Sequence, residues 1–204
     1  MGRKRRLKDE EPPACGKMSL MEAIAVWLTG LPGSGKSTLA EQIRKVHPDF
    51  IVLRMDDLRK IVTPEPTYSA QERDIVYRCL VFMAATLVGH GHSVVIDATG
   101  SLRTWRDLAR TLIPRYGEIY LKCPIDVCVE REGRRRQAYG APEEIYEKAK
   151  SGWPVPGISA PYEEPHSPEL LIEVGKTTAF DAAERIESLI GRMQGLELDA
   201  TDAE

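Results

Sequence analysis

The chain has 204 residues, of which 42% are hydrophobic and 29% are charged, and its formal net charge is −3. This length supports one domain with a substantial core, and the slightly acidic balance gives no reason to expect general affinity for nucleic acid. No apolar run approaches the ~20 residues of a membrane span, and the basic N-terminus lacks the apolar centre of a signal peptide. The four cysteines form no Cys-x-x-Cys pair, so we expect a reduced, cytoplasmic protein without a membrane partner.

The N-terminus differs in charge from the remainder of the chain. Its first 17 residues contain six basic side chains, namely Arg3, Lys4, Arg5, Arg6, Lys8 and Lys17. We predict a disordered basic tail over residues 1–20, with an interaction arm as the alternative. A single domain should follow over residues 21–194, and residues 195–204 should form an acidic, frayed tail.

Short apolar runs alternate with helix-forming stretches in the central domain. We predict strands at residues 24–28, 50–53, 93–96, 118–121 and 170–173, and helices at 36–46, 70–89, 102–113, 124–133 and 179–190. The alternation predicts an α/β fold with a parallel five-stranded sheet flanked by helices. Residues 133–168 break the pattern with six prolines and four aromatic residues, and we predict that they form a lid.

Residues 30–37 read Gly-Leu-Pro-Gly-Ser-Gly-Lys-Ser, the complete pattern of a phosphate-binding loop between a strand and a helix. Glycines let backbone amides converge on a phosphate, and the helix N-terminus adds partial positive charge. We predict that ATP contacts Gly30, Leu31, Pro32, Gly33, Ser34, Gly35, Lys36, Ser37 and Thr38. Lys36 should be solvated in the empty loop and catalytic once it reaches the β- and γ-phosphates, and the Ser37 hydroxyl should bind Mg²⁺. This motif predicts the P-loop nucleoside-triphosphate-hydrolase fold.

Acidic side chains follow the second and third predicted strands, whose carboxyl ends should face the phosphates. We predict that Asp56 accepts a proton from an attacking hydroxyl or holds Mg²⁺, and that Asp57 caps the next helix. Both aspartates could instead act only as caps. Asp97 ends the third strand and is the predicted second carboxylate at Mg²⁺, with capping of the helix at Arg103 as the alternative.

Arginines on the second and fourth predicted helices are further candidates. Arg73 and Arg78 lie five positions apart, which is about 140° around a helix, so they do not share a face. Each is a candidate substrate contact or a solvated surface residue. Arg131 and the arginines at 134–136 open the lid and could stabilise charge on a transferred phosphoryl group, although a solvated face is the alternative.

Several segments resemble the adenylylsulfate kinase family. They are residues 118–131, the lid-helix sequence at 144–152, the Gly-Ile-Ser-Ala-Pro-Tyr-Glu-Glu-Pro segment at 157–165, and residues 30–38 and 56–59. The resemblance covers about residues 24–190 and implies ATP- and Mg²⁺-dependent phosphorylation of the 3′-hydroxyl of adenylyl sulfate, a step of sulfate assimilation. By matching position it implies that Asp56 lies near that hydroxyl and that Arg59, Arg73, Arg78, Lys148 and Ile158 contact the substrate. The phenylalanine that stacks on the substrate adenine in that family has no counterpart before residue 157.

The first half of the chain also resembles polynucleotide-kinase-type P-loop domains, on the Met-Asp-Asp-Leu-Arg sequence at 55–59 and the Asp-Ala-Thr sequence at 97–99. Another hydroxyl acceptor, such as a polynucleotide 5′-hydroxyl or a small metabolite, therefore stays open, as does a nucleotide-binding regulator without transfer activity. We expect a small-molecule partner, adenylyl sulfate first, and no nucleic acid, because few basic residues are available for phosphate contacts. A homodimer is the candidate assembly.

Overall fold

The computed structural model describes residues 22–134, 142 and 144–196. Five strands form one parallel sheet in the order β2-β3-β1-β4-β5. They are β1 (Ala25–Thr29), β2 (Ile51–Arg54), β3 (Val94–Asp97), β4 (Tyr116–Lys122) and β5 (Leu170–Glu173). All five strands were predicted, and the α/β class with a parallel five-stranded sheet is confirmed. The basic tail, most of the acidic tail and residues 135–141 and 143 of the lid lie outside the described residues.

Seven helices accompany the sheet in the described part of the chain. They are α1 (Lys36–Val46), α2 (Met55–Val62), α3 (Ala70–Gly89), α4 (Arg103–Leu112), α5 (Ile125–Gly133), α6 (Ile145–Lys150) and α7 (Ala179–Met193). Two of these helices are missing from the five predicted from the sequence pattern. One is α2, whose eight residues follow β2 without a break, and the other is α6, which only the resemblance at residues 144–152 indicated. Within these same residues, no helix has both the length and the apolar character that crossing a bilayer requires.

Strand β1 is the centre of the core and is buried along its whole length. Successive side chains of a strand point to opposite faces, so Val26 and Leu28 pack with α1 and α7, whereas Ala25 and Trp27 pack with α3 and α4. An apolar sequence without polar alternation is what a strand buried on both faces requires. The phosphate-loop motif therefore begins at the end of the most buried strand in the sheet.

An aromatic stack fixes the chain where it leaves β3. Tyr77 lies between two tryptophans, with its ring centroid 6.2 Å from Trp27 and 4.0 Å from Trp105. Trp27 Nε1 donates to the Ala98 carbonyl (2.8 Å), and the Gly100 amide donates to the Tyr77 hydroxyl (2.9 Å). These bonds hold the segment after β3 at the edge of the sheet, where β3 ends at Asp97.

The Pro-Tyr-Glu-Glu-Pro segment attaches the end of the predicted lid, residues 133–168, to the sheet. The hydroxyls of Tyr162 and Thr29 share a hydrogen bond of 3.0 Å, and the Glu163 carboxylate accepts from the Arg103 amide at the start of α4 (2.7 Å). Arg106 donates to the Glu163 carbonyl (2.7 Å) and forms an ion pair with Glu118, Nε to Oε1 2.6 Å. The lid thus returns to the sheet through one buried guanidinium.

Replacing Arg106 by Met should lower the free energy of unfolding by about 3–5 kcal/mol, because it leaves Glu118 buried without its closest cation. The side chains of Arg106 and Glu118 are 1% and 7% exposed. Arg110→Met is the control, since Arg110 also approaches Glu118 (3.6 Å) but is 40% exposed, and it should cost about 1 kcal/mol or less. Urea unfolding measures both. Equal losses of stability from the two variants would show that Arg106 is not the main partner of the buried Glu118 carboxylate.

Candidate functional site

The phosphate loop lies at the carboxyl edge of the sheet and turns at glycines with positive φ. Gly30, Gly33 and Gly35 have φ of +144°, +80° and +104°, a region that side chains with a Cβ rarely adopt. A Cβ on Gly33 would lie 2.4 Å from the Cys128 carbonyl oxygen of α5. The lid helix α6 also reaches the loop, since the Tyr146 hydroxyl donates to the Pro32 carbonyl (2.7 Å). The loop is therefore held in its phosphate-binding shape by its neighbours.

Lys36 lies under this loop and is only 8% exposed. Its Nζ donates to the carbonyls of Gly30 and Leu31, both at 2.9 Å. Burial lowers the pKa of Lys36, while the nearby carboxylates of Asp97 and Asp56 act to raise it. The expectation of a solvated lysine is therefore wrong: the loop's own carbonyls hold the ammonium beside the position that the sequence motif assigns to phosphates.

Asp97 and Ser37 bring two oxygen ligands together. Asp97 ends β3, and the Ser37 hydroxyl lies close to its carboxylate. Burial raises the pKa of Asp97, and Lys36, Ser37 and Arg54 act against that rise. A carboxylate and a hydroxyl are the hard oxygen donors that Mg²⁺ prefers, so the pair fits the predicted metal. The capping alternative for Asp97 is wrong, because Glu163 accepts from the first amide of α4.

Asp56 and Asp57 both lie in the first turn of α2, because the helix starts at Met55 directly after β2. The prediction that Asp57 caps this helix is wrong, since Arg54 occupies the cap position and no side chain caps it. Asp57 is exposed and lies 3.6 Å from Lys60. Asp56, in contrast, lines the cavity above the phosphate loop. The structure thus separates two adjacent aspartates into a cavity residue and a surface residue.

One continuous cavity of about 810 Å³ runs across the loop. Towards the β5 edge of the sheet, lining residues from α1, β5 and α7 are apolar and include Leu39, Ile172, Val174, Ala179 and Ala182, and the exposed Arg131 also lines the cavity. Towards the opposite, β2 edge, the lining residues that follow β2 are cationic and aromatic and include Arg59, Tyr68 and Arg73, which Trp153 joins through its contact with Tyr68. Asp56 and Asp97 line the same space, so the two halves have different chemistry and meet at the loop.

The cationic half is organised by an aromatic pair. The ring centroids of Tyr68 and Trp153 lie 4.5 Å apart. The Arg59 guanidinium is 4.9 Å from the Tyr68 centroid, and the Lys148 ammonium is 5.1 Å from the Trp153 centroid. Arg73 donates to the Pro154 carbonyl next to this tryptophan. Three of the predicted substrate residues, Arg59, Arg73 and Lys148, are therefore grouped around two aromatic side chains.

Glu72 supports this group from the first turn of α3. Its carboxylate accepts from Arg59 (2.7 Å), from the Thr67 hydroxyl (2.7 Å) and from the Tyr68 amide (3.1 Å). Tyr68 has φ of +56°, a conformation that costs energy for a non-glycine residue. The bonds to Glu72 hold the strained residue and its arginine in place.

Three of the predicted substrate residues lie outside the cavity lining, although one of them, Lys148, contacts the ring of Trp153, which lines it. Arg78 is 60% exposed and pairs with Asp74 at 2.7 Å. Ile158 is 54% exposed, in a turn that packs through Gly157 on Leu31 of the loop. Their substrate roles stay predictions. Arg131 reaches the cavity, whereas the arginines at 135 and 136 lie outside the described residues.

Sequence reasoning did not identify Tyr68, Glu72 or Trp153 as site residues. Tyr68 and Glu72 flank the N-cap Ser69 of α3, whose hydroxyl accepts from the Glu72 amide (3.2 Å). An acidic residue three positions after a serine is a common capping arrangement. This local pattern explains Glu72 by itself, so the sequence gives no sign that Glu72 also contacts Arg59, 13 residues earlier. Trp153 is one of the four aromatic residues of the predicted lid, and composition alone assigns none of them to a site.

Glu72→Gln should destabilise the protein at neutral pH by about 1–3 kcal/mol, because Arg59 and two donors lose a charged acceptor. Burial alone would raise the Glu72 pKa, but the bonds from Thr67 and Tyr68 and the charge of Arg59 lower it overall. A lowered pKa contributes stability above the unfolded value of about 4.3, and this is lost as the pH falls through the folded value. The wild-type advantage should therefore be complete at pH 7 and disappear in acid.

Chemical unfolding at several pH values measures this difference, with Glu65→Gln as the control. Glu65 is exposed in the same connection between α2 and α3, so its replacement should change stability little at any pH. A wild-type advantage over Glu72→Gln that persists unchanged at acidic pH would show that the carboxylate charge is not responsible.

Comparison with known proteins is consistent with this site. The family model described as adenylylsulphate kinase matches residues 22–173. The adenylyl-sulfate kinase of Bacillus velezensis is 33% identical over 170 residues, which cover 79% of this chain and 81% of that protein. A probable bifunctional SAT/APS kinase 2 of Sorangium cellulosum is 32% identical over 81% of this chain, which spans only 28% of that longer protein.

A solved structure is also similar. It is the Mycobacterium tuberculosis APS kinase in complex with AMPPNP and APS, with a TM-score of 0.69 and 28% identity, covering 83% of this chain and 98% of that one. The family match extends over far more than half of the residues and includes the phosphate loop, α2 and the aromatic pair. The chain therefore belongs to the adenylylsulphate kinase family of P-loop phosphotransferases.

Proposed function

We propose that this protein transfers the γ-phosphoryl group of ATP to the 3′-hydroxyl of adenylyl sulfate, giving 3′-phosphoadenylyl sulfate. The observation that carries the proposal is the cavity with two chemically different halves that meet at Lys36. Such an arrangement suits a reaction between two nucleotides whose reacting groups must meet at the phosphate loop. Family membership supports the same acceptor.

ATP is the proposed donor, with its phosphates on the amides of the loop and its base towards the apolar half of the cavity. The ammonium of Lys36 would exchange the Gly30 and Leu31 carbonyls for phosphate oxygens. That exchange offers a buried cation a stronger, charged acceptor. Arg131 enters the cavity from the end of α5 and is the proposed lid contact to the phosphates.

Ser37 and Asp97 are the proposed protein ligands of Mg²⁺, directly or through water, and Asp56 lines the same cavity. When bound, Mg²⁺ neutralises charge on the β- and γ-phosphates. Asp97 is buried and the Ser37 hydroxyl lies close to its carboxylate, so these two ligands require little rearrangement. Asp56 would be oriented by α2, in whose first turn it lies.

The acceptor nucleotide is proposed to occupy the cationic half. A purine is planar and stacks well on aromatic rings, so Tyr68 and Trp153 are its proposed contacts. They would replace the phenylalanine that the resemblance leads one to expect. Arg59 and Arg73 are the proposed contacts of the anionic phosphosulfate, since guanidinium groups bind such oxygens in pairs.

The chemical step is then a direct displacement. The acceptor oxygen forms a bond to the γ-phosphorus, and the bond from that phosphorus to the β,γ-bridging oxygen breaks with its electrons, which leaves ADP. The hydroxyl proton passes to the Asp56 carboxylate. Lys36 and Arg131 stabilise the charge that spreads over the transferred group.

Asp56→Asn should reduce turnover by roughly a hundredfold, within the range for loss of a positioned general base, while leaving ATP affinity nearly unchanged. Asp57→Asn is the matched control: the adjacent residue has the same chemistry but is exposed and outside the cavity lining. Steady-state kinetics and ATP binding by calorimetry separate the two effects. Equal losses from both variants, or a loss only at Asp57, would reverse the assignment.

Adenylyl sulfate should yield a 3′-phosphorylated product in an ATP- and Mg²⁺-dependent assay, whereas oligonucleotides with free 5′-hydroxyls and small alcohols should not be phosphorylated. Arg73→Met should raise KM for adenylyl sulfate about tenfold or more without changing ATP affinity, because each charged hydrogen bond is worth ~1.5–3 kcal/mol. Arg78→Met is the matched variant on the same helix.

The resemblance implies a substrate role for Arg78, but Arg73 lines the cavity and Arg78 does not. A larger effect at Arg78 would therefore restore the expectation from the resemblance and count against the cavity geometry. Clear turnover on an oligonucleotide or another alcohol, without product from adenylyl sulfate, would overturn the proposed acceptor. ATP binding without transfer to any acceptor would favour a regulator.

The remaining expectations stay predictions. They are the homodimer, the cytoplasmic location and the division of the chain into two tails and one domain. Exposed apolar side chains lie along α3, where Phe82 and Met83 follow Ile75 by about two turns. They are a suitable surface on which to look for a second copy.

A further inference from the structure

Arg54 lies between two carboxylates behind the proposed metal site. It is the last residue of β2, and its guanidinium contacts Glu41 of α1 through Nη2 and Asp97 of β3 through Nε, with 3.6 Å from Nε to Asp97 Oδ2. Arg54 and Glu41 are each 18% exposed, and the Asp97 side chain is 5% exposed. One side chain therefore links a helix next to the phosphate loop to the carboxylate at the end of β3.

The sheet register explains this contact. Arg54 is paired with Asp97 across the parallel strands β2 and β3, and directly paired residues point to the same face of a sheet. That face packs on α1, which supplies Glu41 one turn after Ser37. The alignment of two strands and one helix thus places a cation between two acids.

Arg54 approaches Asp97 from outside the cavity lining, because Asp97 lines the cavity and Arg54 is not among the lining residues. The Ser37 hydroxyl lies close to the same carboxylate. Asp97 is therefore held by Arg54 from behind and by Ser37 at the loop.

We propose that Arg54, anchored on Glu41, is a positioning residue that holds the Asp97 carboxylate in the orientation that receives Mg²⁺ beside Ser37. This inference rests on the proposed function, because it assumes that a magnesium–nucleotide complex binds at the loop. A guanidinium suits the task, since its planar fork can contact two carboxylates in fixed directions. Lysine keeps the charge but cannot make both contacts with the same geometry.

The test measures nucleotide affinity with and without metal, a readout that does not depend on turnover. Binding of AMPPNP is followed by calorimetry in excess Mg²⁺ and in EDTA, and the ratio of the two affinities is the magnesium-dependent gain. In Arg54→Met this gain should fall about tenfold, while affinity in EDTA stays within about twofold of wild type. Arg54→Lys and Glu41→Gln should show smaller falls in the same direction.

Arg44→Met is the matched control. Arg44 contacts the same Glu41 carboxylate at 2.7 Å but is 54% exposed. Among the described residues, the arginine that forms an ion pair with Asp97 is Arg54 and not Arg44. Its replacement should leave both affinities at wild-type values. Thermal melting of each variant confirms that the folded protein is measured, and Arg54→Lys decides the question if Arg54→Met does not fold.

The possible outcomes distinguish the positioning role of Arg54 from the proposed function on which it rests. A wild-type gain that Arg54→Met and Arg54→Lys retain in full would overturn the positioning role and leave the proposed function intact. Equal losses in Mg²⁺ and in EDTA would also overturn it, because they would indicate a general effect on the loop. A wild-type protein without any magnesium-dependent gain would overturn both the metal site and this inference.

Discussion

The parallel pairing of β2, β3 and β1 is the constraint on which the site depends. Asp97 is paired with Arg54 on one side and with Leu28 on the other, and Leu28 lies two residues before the phosphate loop. Parallel strands end at the same edge of a sheet, so this register brings a carboxylate, its cation and the loop together. A shift of one residue in β3 would turn Asp97 to the opposite face, towards α3 and α4.

The same edge of the sheet also anchors the lid, and it does so at considerable electrostatic cost. Arg106 is fully buried, and it reaches Glu118, Gly100 and Glu163 at once. Burial raises the pKa of Glu118 even with this cation and Arg110 beside it, which shows how strongly the interior disfavours the charge. Such a pair adds little net stability compared with apolar packing, but it defines one position for the returning chain.

The Pro-Tyr-Glu-Glu-Pro segment consequently has a different role from the one its sequence suggests. It contains the most specific resemblance to the family, yet Tyr162 and Glu163 bond to β1 and to the start of α4 rather than line the cavity. The residues before it, from Trp153 to Pro156, do line the cavity. A rigid anchor next to a substrate-facing stretch is a suitable arrangement for a lid, because closure then needs to move only the distal part.

The cationic half of the cavity is assembled from segments that are distant in the sequence. Tyr68 and Trp153 supply aromatic surface from two segments 85 residues apart, and cations lie over both rings. Stacking does not depend on the order of residues in the chain, so it can be supplied from a different segment.

The sequence by itself determined the parts of this protein whose physics is local. The phosphate loop, the five buried strands, α1 and the aspartate at the end of β3 follow from spacing, apolar runs and helix-forming residues within a few positions. The tertiary structure decided the relations between distant segments: the bonds of Lys36 to its own loop, the different environments of Asp56 and Asp57, the Arg54 contact with Asp97, and the meeting of Tyr68 with Trp153. These depend on strand register, on where α2 begins and on how the lid packs, and each is set by the burial of many side chains at once rather than by any local pattern.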